Sequence, residues 1–252
     1  MGLLEGKIAA VTGATSRSGR AIARRFVDEG ATVVMLARGE ARLDEMSAQL
    51  GDRAVAQPTD IGDPESVRAT FRVIAERFGT LDILVNNAAV YRPCPVEHLS
   101  DDEIMTQVRT NFLGPVYTSR AALPLLKAAG GGDIINTSSE STLDPFPMLS
   151  IYVSTKAALE AFGQVLRAEV EPEGIRVTTV IQGASAGEGG GSIGWEWDPL
   201  HTETALRIWG EGGWLTRTAK STQTVDQIAD VHVYLVTRPR GQKLEVVHVR
   251  SY

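Results

Sequence analysis

Cysteine is nearly missing from this 252-residue chain. Cys94, the only one, lies in the turn-like stretch Pro93-Cys94-Pro95, so an intramolecular disulfide and a multi-cysteine metal site are both excluded. No metal is expected, and a reducing compartment suits such a sequence. Runs of like charge are also lacking: the formal charge of −6 is dispersed, with neither a nucleic-acid-binding tail nor a polybasic membrane patch. No stretch reaches the roughly 18 nearly uncharged apolar residues that a membrane helix requires. The start, Met1-Gly2-Leu3-Leu4-Glu5-Gly6-Lys7, has no basic segment leading into an apolar one, so no secretion signal is expected. A soluble, cytoplasmic protein follows as the expectation. Internal repeats and Pro/Ser-rich linkers are missing too, which favours one domain over two.

What is present is a 43% hydrophobic content, enough for a substantial core. Short apolar runs rich in β-branched residues alternate with longer amphipathic stretches. Ile8 to Val11, Thr32 to Leu36, Ala54 to Ala56, Leu81 to Val85, Asp133 to Thr137, Ile175 to Val180 and Leu244 to Val249 read as about seven buried strands. Gly19 to Glu29, Ala41 to Leu50, Pro64 to Phe78 and Leu149 to Glu171 read as helices, the last stopped by Pro172 and Gly174. The alternation predicts an α/β fold, a doubly wound parallel sheet of the Rossmann type, in a single domain 1–252. Gly130-Gly131-Gly132 reads as a plain loop. The stretch from Gly183 to about Ala219 breaks the rhythm, with Gly187, Gly189, Gly190, Gly191 and Gly194 and all four tryptophans, Trp195, Trp197, Trp209 and Trp214.

The first strand ends in Thr12-Gly13-Ala14-Thr15-Ser16-Arg17-Ser18-Gly19 and runs straight into a helix. A helix N-terminus offers unpaired N–H groups and positive potential, so a tight loop there can cradle a pyrophosphate; a glycine turn that merely closes a βα connection is the plainer alternative. Further along, Tyr152-Val153-Ser154-Thr155-Lys156 puts a phenol and an ammonium on one helical face, where the cation can stabilise phenolate. Alone, such a pair is most simply a packed tyrosine beside a snorkelling lysine.

Taken together these motifs resemble the short-chain dehydrogenase/reductase family. Thr12-Gly13 and Gly19 resemble its Thr-Gly-x-x-x-Gly-x-Gly loop, although Arg17 stands where the pattern has its middle glycine. The resemblance implies cofactor contacts from Gly13, Arg17, Ser18 and Gly19. Arg17 leaves several readings open: a salt link to a phosphate, a reach to the 2′-phosphate of NADP, a solvated loop residue, or a hindrance to binding. At the end of the second strand Ala37 occupies the place of the acid that selects NAD, and Arg38 follows it, so NADP(H) is expected over NAD(H). Asp60-Ile61 is similar to the pair that holds the adenine. Asn86-Asn87-Ala88-Ala89 is similar to Asn-Asn-Ala-Gly, which implies ribose contacts from Asn87 and Ala88.

The same resemblance implies a catalytic set of Asn111, Ser139, Tyr152 and Lys156. Ser139 precedes Tyr152 by 13 residues, the family's separation, and Asn111-Phe112-Leu113-Gly114 is similar to Asn-x-x-Gly. Tyr152 is then the acid/base, Ser139 orients the carbonyl, Asn111 joins Lys156 to a water relay, and Tyr152 and Lys156 also contact the cofactor. Ser138 is the hydroxyl expected to bond locally. After the sixth strand, Gln182-Gly183 departs from Asn-Pro-Gly, leaving Gly183 as the matching cofactor residue. The Trp-rich stretch 183–219 corresponds to the family's variable substrate lid and points to a bulky hydrophobic or aromatic substrate; packing of several tryptophans onto the core is the other reading. His201 reads as a surface residue. Family members assemble as homodimers or homotetramers through helices around Asn111 and Tyr152, so a homo-oligomer is implied. The implied function is a carbonyl reductase or secondary-alcohol dehydrogenase. A lyase or isomerase using Ser139, Tyr152 and Lys156 without net redox, and a non-catalytic dinucleotide-binding protein, are the alternatives that Arg17 and Gln182 keep open.

Overall fold

The computed structural model describes residues 2–186, 197–218 and 223–250. Its first half repeats a strand and a helix three times: β1 (Ile8–Thr12), α1 (Arg17–Asp28), β2 (Thr32–Ala37), α2 (Glu40–Leu50), β3 (Ala54–Pro58) and α3 (Pro64–Phe78). Then come β4 (Ile83–Asn86), α4 (Asp101–Val108), α5 (Gly114–Ala128), β5 (Gly132–Ser139), α6 (Ser150–Val170) and β6 (Ile175–Gln182). The last part holds β7 (Ser185–Ala186), α7 (Pro199–Glu211), α8 (Trp214–Thr218), β8 (Gln223–Thr224), α9 (Val225–Val236) and β9 (Val246–Val249). Local chemistry sets several boundaries. Asp63 caps α3 by accepting from the Glu65 N–H at 3.0 Å; Ser100 and Glu103 form a reciprocal capping box on α4; and Gly174, at φ +70°, follows the Pro172 turn that ends α6.

Seven strands pair in the order β3-β2-β1-β4-β5-β6-β9, every pair parallel. The expected doubly wound sheet is thus the observed one. The uninterrupted apolar runs have a simple cause, because successive residues of a strand serve opposite faces. Ala9, Val11, Val33 and Met35 join α1, α2 and α9 on one face, through Ile22, Phe26, Leu43 and Val233. Ala10, Val34 and Leu36 join α3, α5 and α6 on the other, through Phe71, Ile74, Leu126 and Leu166.

Most strands run one or two residues past their expected ends, and two begin later than expected. Pairing begins at Ile83 rather than Leu81 and at Val246 rather than Leu244, because burial extends beyond the ladder: Leu81 is fully buried without being in it. The short parallel pair Ser185–Gln223 and Ala186–Thr224 was not legible in the pattern. Of the glycine-rich segment, Gly187, Gly189, Gly190, Gly191, Gly194, Trp195 and Ala219 lie outside the described residues.

The chain leaves β1 for β2 on one side and later returns to β4 on the other. That reversal opens a crevice at the carboxyl ends of the strands, the place where open α/β sheets receive ligands.

Candidate active site

The loop from β1 to α1 is laid down on the end of β4. Gly13 adopts φ +64°, and a Cβ there would come within 2.8 Å of Ala88 Cα; a Cβ on Gly19 would meet the Gly13 carbonyl oxygen at 2.1 Å and Asn87 Nδ2 at 2.6 Å. Only glycine permits that approach. Thr12 Oγ1 accepts from the N–H groups of Asn87 and Ala88, both at 3.0 Å. Asn87 Nδ2 donates to Thr12 O at 3.1 Å, and Ser18 Oγ donates to Asn87 Oδ1 at 2.9 Å. Ser16, at the N-cap of α1, turns its hydroxyl back to Gly13 O at 2.7 Å and makes no side-chain cap. With no acidic residue in the first turn and Arg17 opening the helix, this end of α1 is electropositive. The Arg17 charge reaches Tyr91, where it opposes the upward push of burial on that phenol. Arg17 therefore acts on the Tyr91 side of the crevice.

Ala37 and the exposed Arg38 stand at the end of β2, in line with the sequence. Asp60 is exposed and accepts from the Gly62 N–H at 2.9 Å. Ile61 is buried, and a Cβ on Gly114 would meet its Cδ1 at 2.7 Å, which explains the glycine three residues after Asn111.

On the other side of the crevice, β5 ends at Ser139, and Tyr152 and Lys156 lie one turn apart on α6. The Ser139 hydroxyl stands near enough to the Tyr152 phenol to favour its ionised form. Ser139 Oγ also accepts from Ser141 N at 3.2 Å and from Ser141 Oγ at 2.9 Å, while Ser138 Oγ donates to Glu160 on α6 rather than to the loop backbone. Lys156, only 2% exposed, donates through Nζ to Thr137 O at 2.6 Å and lies 5.8 Å from the centroid of the Tyr152 ring. Burial pushes the Tyr152 phenol up to about 12, against the opposing influence of the Ser139 hydroxyl. Burial also draws the Lys156 amine down to about 8, against the attraction of Glu160. The sequence reading has Lys156 lowering the phenol; here desolvation outweighs every opposing influence.

Asn111 is fully buried in a π-type turn, Arg109–Leu113, between α4 and α5. Its Oδ1 accepts from Val90 N and its Nδ2 donates to Val90 O, both at 2.8 Å, with a further donation to Thr155 Oγ1 at 3.2 Å. It thus ties the loop after β4 to α6 at the residue before Lys156. Gly183 N–H donates to Val249 O at 2.8 Å, and a Cβ there would meet Glu140 Oε2 at 2.7 Å. Beside it, buried Gln182 Oε1 has no hydrogen-bond partner among the described residues, and neither does Thr137 Oγ1.

The tryptophans divide. Trp209 Nε1 donates to Pro147 O at 2.8 Å and Trp214 Nε1 to Pro145 O at 3.1 Å, with Phe146 against both rings. These two fasten α7 and α8 to the loop before α6. Trp197 instead meets the Tyr91 ring at 5.1 Å, and Tyr91 meets Tyr152 at 5.3 Å. His201, expected at the surface, is half-buried with Nδ1 3.4 Å from Cys94 Sγ. The sequence reading missed Tyr91, although its position just beyond Asn86-Asn87 at the crevice was a signal. It also missed Phe146, which no motif marks.

The arrangement accords with what the chain resembles. A family model described as short chain dehydrogenase matches residues 7–191. A short chain dehydrogenase of Pseudocercospora fijiensis is 32% identical over 256 residues, covering 99% of this chain and 81% of that protein. A metagenomic short-chain oxidoreductase solved with NADP superposes with a TM-score of 0.81 at 26% identity, covering 99% of both chains. A 3-ketoacyl-(acyl-carrier-protein) reductase of Brucella melitensis solved with NADH gives 0.82 at 29% identity, covering 98% of this chain and 97% of that one.

Proposed function

The chain belongs to the short-chain dehydrogenase family, and from that premise we propose that it is an NADP(H)-dependent oxidoreductase interconverting a bulky hydrophobic or aromatic ketone and its secondary alcohol. The observation that carries this reading is the convergence of the Ser139 hydroxyl, at the end of β5, on the Tyr152 phenol, with buried Lys156 one turn further along α6. Two hydroxyls that converge on each other also converge on a carbonyl oxygen placed between them.

The residues suit a dinucleotide. The uncapped, Arg17-bearing end of α1 with Gly13, Ser18 and Gly19 would hold the pyrophosphate; Arg38 the 2′-phosphate; Asp60 and Ile61 the adenine; Asn87 and Ala88 the adenosine ribose. Tyr152, Lys156 and Gly183 would border the nicotinamide end, where the orphaned Gln182 Oε1 offers an acceptor to a carboxamide N–H. A bound nicotinamide supplies or takes up the hydride. The chain's own part is proton chemistry. Tyr152 Oη donates its proton to the carbonyl oxygen, and Ser139 Oγ polarises that oxygen. A phenol held protonated by burial suits donation, hence the reductive direction. Lys156, still charged at neutral pH with its amine near 8, stabilises the phenolate left behind. Trp197 and Tyr91 line the aromatic side of the substrate space. Among the described residues no helix is long and apolar enough to cross a membrane. The proposal includes a cytoplasmic homodimer or homotetramer, with Val165 on α6, 60% exposed, on the associating surface.

The test is a tryptophan-fluorescence titration with NADPH and NADH, followed by NADPH consumption on a ketone panel. NADPH should bind more tightly, and Arg38→Asp should weaken it by roughly 10–100-fold, the loss of one charge-assisted contact. Tight NADPH binding with no consumption on any ketone would overturn the reductase reading in favour of non-redox chemistry.

A further inference from the structure

Tyr91 has no role in the motifs of the chain, yet it touches the residue on which the proposed chemistry depends. Its ring lies 5.3 Å from the Tyr152 ring, tilted by 49°, and Trp197, just ahead of α7, closes on it at 5.1 Å and 63°. Offset and edge-on pairs at these separations are attractive beyond simple burial. The backbone beside Tyr91 is fixed independently. Both polar groups of Val90 are bonded by the Asn111 amide, which also reaches Thr155. Thr155 Oγ1 in turn donates to the Tyr152 carbonyl at 2.7 Å. The contacts therefore form a closed circuit, from Tyr91 through its neighbour Val90 to Asn111, Thr155 and Tyr152, and back to Tyr91 ring to ring. Trp197 joins that circuit through Tyr91, and α7 behind it is anchored by Trp209 on Pro147.

We propose that Tyr91 is a positioning residue: it braces the Tyr152 ring and passes the seating of α7, through Trp197 just ahead of it, to the catalytic phenol. The proposal rests on the reading of Tyr152 as acid/base. The brace also excludes water. With Lys156 on one side and Tyr91 on another, the half-buried Tyr152 ring is shielded from water on both, so loss of the Tyr91 ring hydrates the phenol further and lowers its pKa toward the ordinary tyrosine value.

The test compares Tyr91→Leu, Tyr91→Phe and Tyr152→Phe. Tyr91→Leu should leave NADPH affinity unchanged and lower kcat by on the order of 100-fold through misplacement of the phenol. The limb of the pH profile governed by Tyr152 should move to lower pH. Tyr91→Phe, which keeps the ring, should restore most of the lost turnover. An NMR titration with tyrosine labelled at Cζ, the Tyr152 resonance assigned by its loss in Tyr152→Phe, reads the brace without turnover: its midpoint should fall in Tyr91→Leu. An unmoved midpoint with an unchanged pH profile would overturn the proposal. Full activity in Tyr152→Phe would instead overturn the acid/base reading, and with it the coupling to catalysis, whatever the midpoint does.

Discussion

Replacing Gly19 by alanine sets two effects of opposite sign against each other. Gly19 is the third residue of α1, where helix propensity alone favours alanine by up to about 1 kcal/mol. The added methyl, however, would sit 2.1 Å from the Gly13 carbonyl oxygen and 2.6 Å from Asn87 Nδ2. Neither can yield freely: Gly13 is packed on Ala88, and the Asn87 amide holds Thr12 O and the Ser18 hydroxyl. Overpacking of this kind costs about 1–3 kcal/mol, and each strained hydrogen bond roughly 1 kcal/mol more. The clash should win, with a net destabilisation of about 2–4 kcal/mol. For a chain of this size that lowers Tm by on the order of 5–15 °C. The internal control is Gly210→Ala on α7, where the nearest atom to a new Cβ is Leu215 Cδ1 at 4.0 Å. That variant should hold or raise Tm. Thermal and urea unfolding at one fixed protein concentration would measure both, alongside NADPH affinity, which should drop in Gly19→Ala as the loop lifts from β4. A Gly19→Ala protein as stable as Gly210→Ala would refute the argument that close packing on Asn87 shapes this loop.

Tyr152→Phe removes the proton donor but not the ring, so NADPH affinity should stay close to that of the parent while turnover falls by about 10²–10⁴-fold in stopped-flow NADPH oxidation. His232, fully buried on α9, has its pKa drawn down to about 4 by burial, against the hydrogen bond to Ile228 O. Below pH 6.5 the unfolded chain protonates this imidazole and the folded chain does not. Stability should therefore fall as pH drops from 6.5 to 4, by roughly 3 kcal/mol from this group. Urea unfolding of His232→Leu should show a shallower loss across that window; parallel curves would contradict it. Trp209→Ala should remove about 3–5 kcal/mol of contact between α7 and the Pro145–Leu149 loop, seen as faster proteolytic cleavage within 199–211 and a raised KM for the ketone.

How much was legible follows from where each signal resides. The central strands show as continuous apolar runs because helices bury them on both faces, while the edge strands β3 and β9 are only partly covered, and the order of β and α units nearly dictates a parallel sheet. The glycine loop, Asn87, Ser139, Tyr152 and Lys156 show because each belongs to a short motif at a strand end or on one helical face. By itself, then, the sequence determined the sheet, the crevice at its carboxyl edge and the residues along that edge. The tertiary structure decided the rest: that Tyr91 and Trp197 stack toward Tyr152, that Trp209 and Trp214 serve as anchors, that Cys94 meets His201, and that burial rather than Lys156 governs the Tyr152 phenol. Those contacts join residues dozens of positions apart through side chains of no fixed spacing. Desolvation, in turn, depends on everything packed around a group, which no local pattern records.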